Sequence, residues 1–253
     1  ILGLDRIEAA SFLRSNGTFQ YLTGLPAFPD PQTLRRFLLN APTTSWQHLH
    51  RVNDRLLQKF LHLPERRSRL IFDLDGTVVT VFGKQDGAEV GYNPKYRGKR
   101  SYNPLLCLEA NSSFLWDAEL RAGNASPWES SPALLDTSFA TVPPDIRELR
   151  FRADAGFGFQ PVLQELEDHD VRYAVVARLT TPLKNALRGL NYQRANARWE
   201  LAETEYRAHG WSHARRIVAA RRLIESEDAH TTLFATGRYL YRAWTTNLPL
   251  TPA

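Results

Sequence analysis

Residues Arg69 to Gly83 read RLIFDLDGTVVTVFG. Apolar and β-branched residues stand on both sides of two acids, Asp73 and Asp75, and Gly76-Thr77 interrupts the run. That composition predicts a strand leading into a turn and then further strand, with a pair of carboxylates near the turn. Two acids two residues apart share one face of a strand, because successive side chains alternate. The chemistry they serve depends on what the rest of the chain brings beside them.

Working outward, "NPLLCLEA" and "SSFLWDAEL" are separated by Asn111-Ser112 and read as an antiparallel pair. A short helix is expected around Ser131–Ala140. "IRELRFRADAGFG" reads as a strand ending at Asp154-Ala155-Gly156, "QPVLQELEDHD" as an amphipathic helix and "VRYAVVARL" as a buried strand. The order is three strands, helix, strand, helix, strand. It predicts an α/β fold with a ribonuclease H-like mixed sheet, the first three strands antiparallel and the next two parallel. In such a sheet the first and fourth strands are neighbours, so Asp75 and Asp154, 79 residues apart, are expected to meet. Taken alone, Asp154 before Ala155-Gly156 is also an ordinary turn former.

Upstream, residues 1–68 read as a helical region. Asp30-Pro31 is an N-cap followed by proline at the first helical position. Trp46, Leu49, Val52, Leu56, Phe60 and Leu63 form a stripe at helical spacing, which suits a packing unit or part of a DNA-binding region. Residues 69–180 hold the first part of the mixed-sheet core. Residues 181–253 read as a β-rich, Arg-rich insertion, with "RWELAETEYR", "ARRIVAARRLIE", "TTLFATGR" and "YLYRAWTTNLP" as hairpin strands.

With 253 residues, 43% hydrophobic and 23% charged, the chain has the composition of a soluble globular protein. No apolar run is long enough to span a bilayer, and no secretory leader is evident. The single cysteine, Cys107, excludes an intrachain disulfide and a cysteine-rich metal site, which suits a reducing cytoplasm. There is no methionine, so the sequence is expected to be a fragment. Charge is uneven: residues 1–170 carry 19 Lys and Arg against 21 Asp and Glu, whereas residues 171–253 carry 13 against 6, a net of +7. Arginine-rich codon usage accounts for some of this, but a basic half also favours nucleic acid as partner.

The loop Lys84–Asn103 mixes Lys95, Arg97, Lys99 and Arg100 with Tyr92, Tyr96 and Tyr102. Cations that neutralise phosphates beside aromatic rings that stack on bases suit DNA contact. Tyrosines tucked onto a sheet beneath solvated cations would give the same string.

The letters DLDGTV also open phosphatases of the haloacid dehalogenase type, where Asp73 would be nucleophile and Asp75 general acid. That fold needs a helix after the first strand and a late acidic pair at the end of an apolar strand. Glu227-Asp228 follows Ser226 in a polar stretch instead. The longer pattern is more specific. Residues from Phe72 to Ser126, then "RELRFRADAGF", "YAVVARL" and "RAWTTNLPLTP", resemble the DDE-domain group 1 transposases of bacterial insertion sequences across nearly the whole chain. The resemblance implies cutting of double-stranded DNA at transposon ends and strand transfer into a target, with Mg²⁺ or Mn²⁺ as cofactor. It implies Asp75 and Asp154 as catalytic and metal-binding acids, a homodimer in the transposition complex, and a location at the bacterial nucleoid. It also implies a third acid, a Glu, on a helix beyond Asn247-Leu248-Pro249; the sequence stops before such a helix. Glu200, Glu203, Glu205, Glu225 and Glu227 lack that setting, so the chain as given is expected to be inactive. A non-catalytic DNA-binding remnant of a transposon gene is the alternative reading.

Overall fold

The structure is a computed structural model that describes residues 7–14, 16–42, 44–61, 68–126, 128–224, 235–236 and 238–249, without the side chains of residues 46, 235 and 236. The chain divides into two compact units, residues 1–59 and 60–253.

The first unit is helical. A 3₁₀ turn, Ile7–Ala10, precedes α1 (Ser11–Arg14), α2 (Gly17–Thr23), α3 (Pro31–Leu39) and α4 (Ser45–Leu61). The start of α3 follows from its sequence: Asp30 Oδ1 accepts from the Gln32 amide at 2.7 Å, and Pro31 needs no hydrogen bond in the first turn. The stripe on α4 is only partly used. Leu49, Val52 and Leu56 remain 70%, 51% and 48% exposed, so among the described residues nothing buries them; Leu63 lies outside the described residues.

The second unit is built on β1 (Arg69–Gly76). Leu70, Phe72 and Leu74 are buried while Arg69 and Asp75 are exposed, the alternation expected of a strand with one covered face. A small sheet follows, β2 (Val79–Thr80), β3 (Glu89–Val90) and β4 (Arg100–Tyr102), ordered β2-β4-β3. Then come β5 (Leu105–Glu109), β6 (Phe114–Glu119), α5 (Ser131–Ala140), β7 (Glu148–Ala153), α6 (Gln160–Asp168), β8 (Arg172–Val176) and α7 (Thr181–Arg188). The sequence reading assigned no element to α7, whose eight residues carry only Leu183 and Leu187 as buried anchors. The chain closes with β9 (Gln193–Arg194), β10 (Glu200–Tyr206), β11 (Arg215–Leu223), β12 (Ala235–Thr236) and β13 (Tyr239–Thr246). Most of "TTLFATGR" lies outside the described residues.

The large sheet runs β6-β5-β1-β7-β8-β13-β11-β10-β9, with β12 beside β13. β1, β5 and β6 pair antiparallel, whereas β1, β7 and β8 are parallel. This is the ribonuclease H-like order expected from the sequence. The Arg-rich strands extend that sheet: β13 pairs antiparallel with β8 at Trp244↔Val176 to Thr246↔Ala174. Asn247 continues the edge with its side chain, accepting from the Tyr173 amide at 2.7 Å and donating to the Val171 carbonyl at 2.9 Å.

The core sits on the even face of β1. Phe72 meets Trp116 edge-on at 4.8 Å and Phe139 of α5 at 5.9 Å. Phe151, Val162, Leu163 and Leu166 are fully buried. The indole Nε1 of Trp116 donates to the Ser138 carbonyl at 3.0 Å and to Thr141 Oγ1 at 2.9 Å, so its burial leaves no donor stranded. Cys107 is buried in the same layer, and burial pushes its thiol up to about 12, which keeps it unreactive.

Candidate active site at the ends of the central strands

β1 and β7 run parallel with a constant offset of 79 residues, from Arg69↔Glu148 to Leu74↔Ala153. The next pair on that register is Asp75 with Asp154. Residues paired in register point to the same face of a sheet. Asp75 is the next residue of β1, and Asp154 follows the last residue of β7, so the offset carried one step past Leu74↔Ala153 would set the two acids side by side on the face opposite the Phe72 core. Both are exposed. Asp75 Oδ1 accepts from the Gly76 amide and Asp154 Oδ1 from the Gly156 amide, each at 2.8 Å. Asp154 thereby caps the 3₁₀ turn Ala155–Phe157, and buried Phe157 anchors that turn. The turn-former role read for Asp154 is thus realised. Among the described residues those are the hydrogen bonds these carboxylates make, so each keeps its other oxygen open.

Asp73 is differently placed. Arg152 grips it with two bonds, Nε to Oδ1 at 2.7 Å and Nη2 to Oδ2 at 2.6 Å, and this contact holds the guanidinium charged more firmly. A dehalogenase-type nucleophile would need Asp73 unbound and a helix after β1; here Asp73 is paired and β2 follows. Sequence reasoning passed over Arg152. Its signal was the repeated spacing, since Arg152 and Asp154 stand as far apart as Asp73 and Asp75.

Two oxygen-donor side chains at one exposed strand end suit a small hard divalent cation such as Mg²⁺ or Mn²⁺. A second cluster has another character. Asp136 of α5, Glu165 of α6 and His169 bring ligand atoms within 4.8 Å of one another, the one such group of three among the described residues. His169 Nε2 lies 3.2 Å from Asp136 Oδ1 and 3.0 Å from Glu165 Oε1. His169 caps the C-terminal end of α6, before β8 begins, whereas Asp154 precedes the start of α6. The cluster belongs to the helical layer and not to the strand ends that carry Asp75.

The loop after β1 is folded, not free. Tyr96 packs edge-on against Phe82 at 5.5 Å and lies beneath the Lys95 ammonium at 5.4 Å. The Tyr102 hydroxyl donates to the Asp86 carbonyl, and Arg100 pairs with Glu89 at 3.2 Å. Tyr92 is 81% exposed, and Lys95, Arg97 and Lys99 are exposed as well.

Beside Asp154 opens a cavity of about 1010 Å³. Trp128, Phe159 and Trp211 supply aromatic walls, and Arg178, Arg207 and His209 supply polar ones. A bridge across α6 holds its wall in place. Arg215 is buried and grips Glu167 at 2.7 and 2.8 Å while also donating to Gln160 at 2.8 Å. Burial alone would raise Glu167, but hydrogen bonds from Arg215 and Tyr173 outweigh it and hold the carboxyl below its usual range. Trp211 lies under the Arg215 guanidinium at 5.1 Å and donates to the Gly158 carbonyl at 3.3 Å. Other arginines of the insertion are also engaged: Arg216 pairs with Glu203, Arg221 with Glu200 at 2.7 Å, and Arg222 and Arg242 both lie over Trp199.

A ribonuclease H-like sheet with two acids at the ends of its central parallel strands defines the class. The chain belongs to the transposase DDE domain group 1 family, whose model matches residues 1–248. Among solved structures it is similar to the piggyBac transposase synaptic complex with hairpin DNA, studied by cryo-electron microscopy. Sequence identity is 8%, the TM-score is 0.45, and the match covers 72% of this chain and 34% of that one. The chain thus spans about a third of the length of that structure. No curated protein sequence matches it.

Proposed function

We propose that this chain carries part of the catalytic core of a transposase that cuts double-stranded DNA and transfers the cut strand, with Asp75 and Asp154 as ligands of a divalent cation. The observation that supports this reading is the parallel register of β1 and β7, whose 79-residue offset, carried one step past Leu74↔Ala153, would bring Asp75 beside Asp154. A bound pair of such cations would activate the attacking oxygen and stabilise the leaving oxygen of an in-line displacement. The chain's own part is to hold the acids. The Gly76 and Gly156 amides each fix one carboxylate oxygen and leave the other outward. The adjacent cavity gives the DNA near Asp154 aromatic surface and cations, and the exposed Lys95, Arg97 and Lys99 give its backbone further charge. Glu200 and Glu203 are committed to Arg221 and Arg216, so neither is offered as a third acid.

The test is a divalent-dependent nicking assay on transposon-end duplex, using the native transposase that contains this chain. Asp75→Asn and Asp154→Asn should each lower the rate about a hundredfold or more, since changes one shell further out already cost about 10–100-fold. Native rates in either variant would remove that acid from the site.

A further inference from the structure

The side chains on the acidic face fall into rows across the strands. In one row Leu108 of β5, Asp73, Arg152 and Ala174 of β8 are successive register partners. In the next row Asp75 stands beside Leu106, and Asp154, the residue just past the end of β7, follows the last register pair Leu74↔Ala153. The rows are about 7 Å apart, two residues along a strand. Leu108 and Ala174 offer no polar atom, so within its row each charged residue has the other as partner. The result is a neutral, two-bonded pair set directly behind two open carboxylates.

We infer that the Asp73–Arg152 pair is a positioning and charge-setting device for the Asp75–Asp154 metal site, and that Asp73 is not itself a metal ligand. This rests on the function proposed above. The two bonds tie β1 to β7 one step before the acids and so fix their side-by-side register. Electrostatically, Asp73 cancels the Arg152 charge, which would otherwise repel a cation at the site. Arg152 in turn occupies both oxygens of Asp73, which would otherwise compete for that cation. The net negative charge of the two rows is then that of Asp75 and Asp154 together, matched to one divalent ion.

The two halves of the pair therefore act on metal affinity with opposite signs. Mn²⁺ binding to the full chain, followed by electron paramagnetic resonance, reads this without any need for turnover. Asp73→Asn leaves Arg152 uncompensated and should weaken Mn²⁺ binding about two- to eightfold, the effect of one charge roughly 7 Å from a divalent ion at an exposed, partly screened site. Arg152→Gln should tighten binding by a similar factor. The double variant Asp73→Asn/Arg152→Gln should return to native affinity, with lower thermal stability. Arg152→Lys keeps the charge but loses the planar fork; it should keep native affinity and also melt earlier. Circular dichroism establishes that each variant is folded, and Arg152→Lys carries the test should the neutral variants not fold. A double variant as weak as Asp73→Asn alone would make Asp73 a ligand and overturn the inference. So would weaker binding in Arg152→Gln, or a changed affinity in Arg152→Lys. Failure of the underlying reading shows elsewhere: Asp75→Asn and Asp154→Asn would then bind Mn²⁺ as the native chain does, and the inference would fall with it.

Discussion

Single residues decide whether the small sheet after β1 holds its shape. Gly91 and Gly123 pass backbone against backbone beside the small sheet that follows β1. A Cβ on Gly91 would lie 1.8 Å from the Gly123 carbonyl oxygen, and one on Gly123 would lie 2.4 Å from the Glu89 carbonyl oxygen. Neither neighbour is a flexible side-chain end, so the backbone itself would have to move. Gly91→Ala should therefore destabilise the protein by about 1–3 kcal/mol, the range for overpacked sites. Gly98 is the control. Its φ of +75° favours glycine, yet nothing lies within 4 Å of its missing Cβ. Gly98→Ala should cost only the left-handed backbone term, about 1–2 kcal/mol, without loosening β3 and β4. Urea midpoints for the two variants measure the costs. Hydrogen exchange at Glu89–Val90 and Arg100–Tyr102 separates the mechanisms, because only Gly91→Ala should speed it.

Elements were legible where one signal dominated. Asp30-Pro31 announced α3 because the cap and the missing amide both act locally. The limits of α5 and the strand order around β1 followed from composition and from alternation in "RLIFDLDG". That β1 and β7 are parallel neighbours, the premise for pairing Asp75 with Asp154, was legible from the order of elements. What stayed hidden depends on tertiary contacts. The role of Arg152 needs the register in hand, and α7 is a short helix with two anchors. The Arg215–Glu167 grip spans 48 residues and leaves no periodic trace. The β5–β6 hairpin shows a local signal with a buried cause. Asn111-Ser112 marked the turn, but Glu109 organises it, accepting from Asn111 Nδ2 at 2.9 Å, the Ser112 amide at 2.8 Å and Ser112 Oγ at 2.7 Å. Burial by itself would raise Glu109; the donors of Ser112 and Asn111 outweigh it, and the carboxyl is held below its ordinary value of 4.5. A group with a depressed folded pKa contributes stability above its unfolded pKa and loses it as pH falls through the folded one. Glu109→Gln should thus lower stability at pH 7 by roughly 1–3 kcal/mol, the cost of leaving buried partners poorly paired. The gap between native and variant should narrow below pH 4.5. Chemical denaturation at pH 7, 5 and 3.5 gives the comparison, and a gap that widened on acidification would mean that Glu109 is not held ionised in the fold.

At the scale of the molecule, the basic half of the chain is used largely to hold itself together. Arg215 and Glu167 join β11 to α6 and keep Trp211 against Gly158, so Arg215→Ala should cost about 3–5 kcal/mol by leaving a half-buried carboxylate without its main partner. A urea midpoint shift near zero would contradict this. The same engagement changes what DNA affinity should depend on. The net charge of residues 171–253 invites the view that the arginine strands grip phosphate, yet Arg216, Arg221, Arg222 and Arg242 already have acidic or aromatic partners. Each would give up an internal contact to meet a phosphate. Arg97 and Lys99, in contrast, are exposed on the loop that follows β1, and Arg100 shares its charge with Glu89. Each phosphate neutralised by a protein cation releases condensed counterion, which sets a log–log salt slope near −0.9 per contact. Replacing Arg97, Lys99 and Arg100 together by Ala should therefore flatten the slope by about two units, with the exposed Arg97 and Lys99 carrying the change. Replacing Arg221 and Arg242 should lower stability and leave the slope nearly as it was. Fluorescence anisotropy of a labelled duplex across a salt series from 50 to 200 mM reads both. If the loop variant kept the native slope and the strand variant lost it, the DNA path would lie over the extended half of the sheet, and Tyr92, Lys95 and Tyr102 would be structural neighbours of the site instead of its contacts.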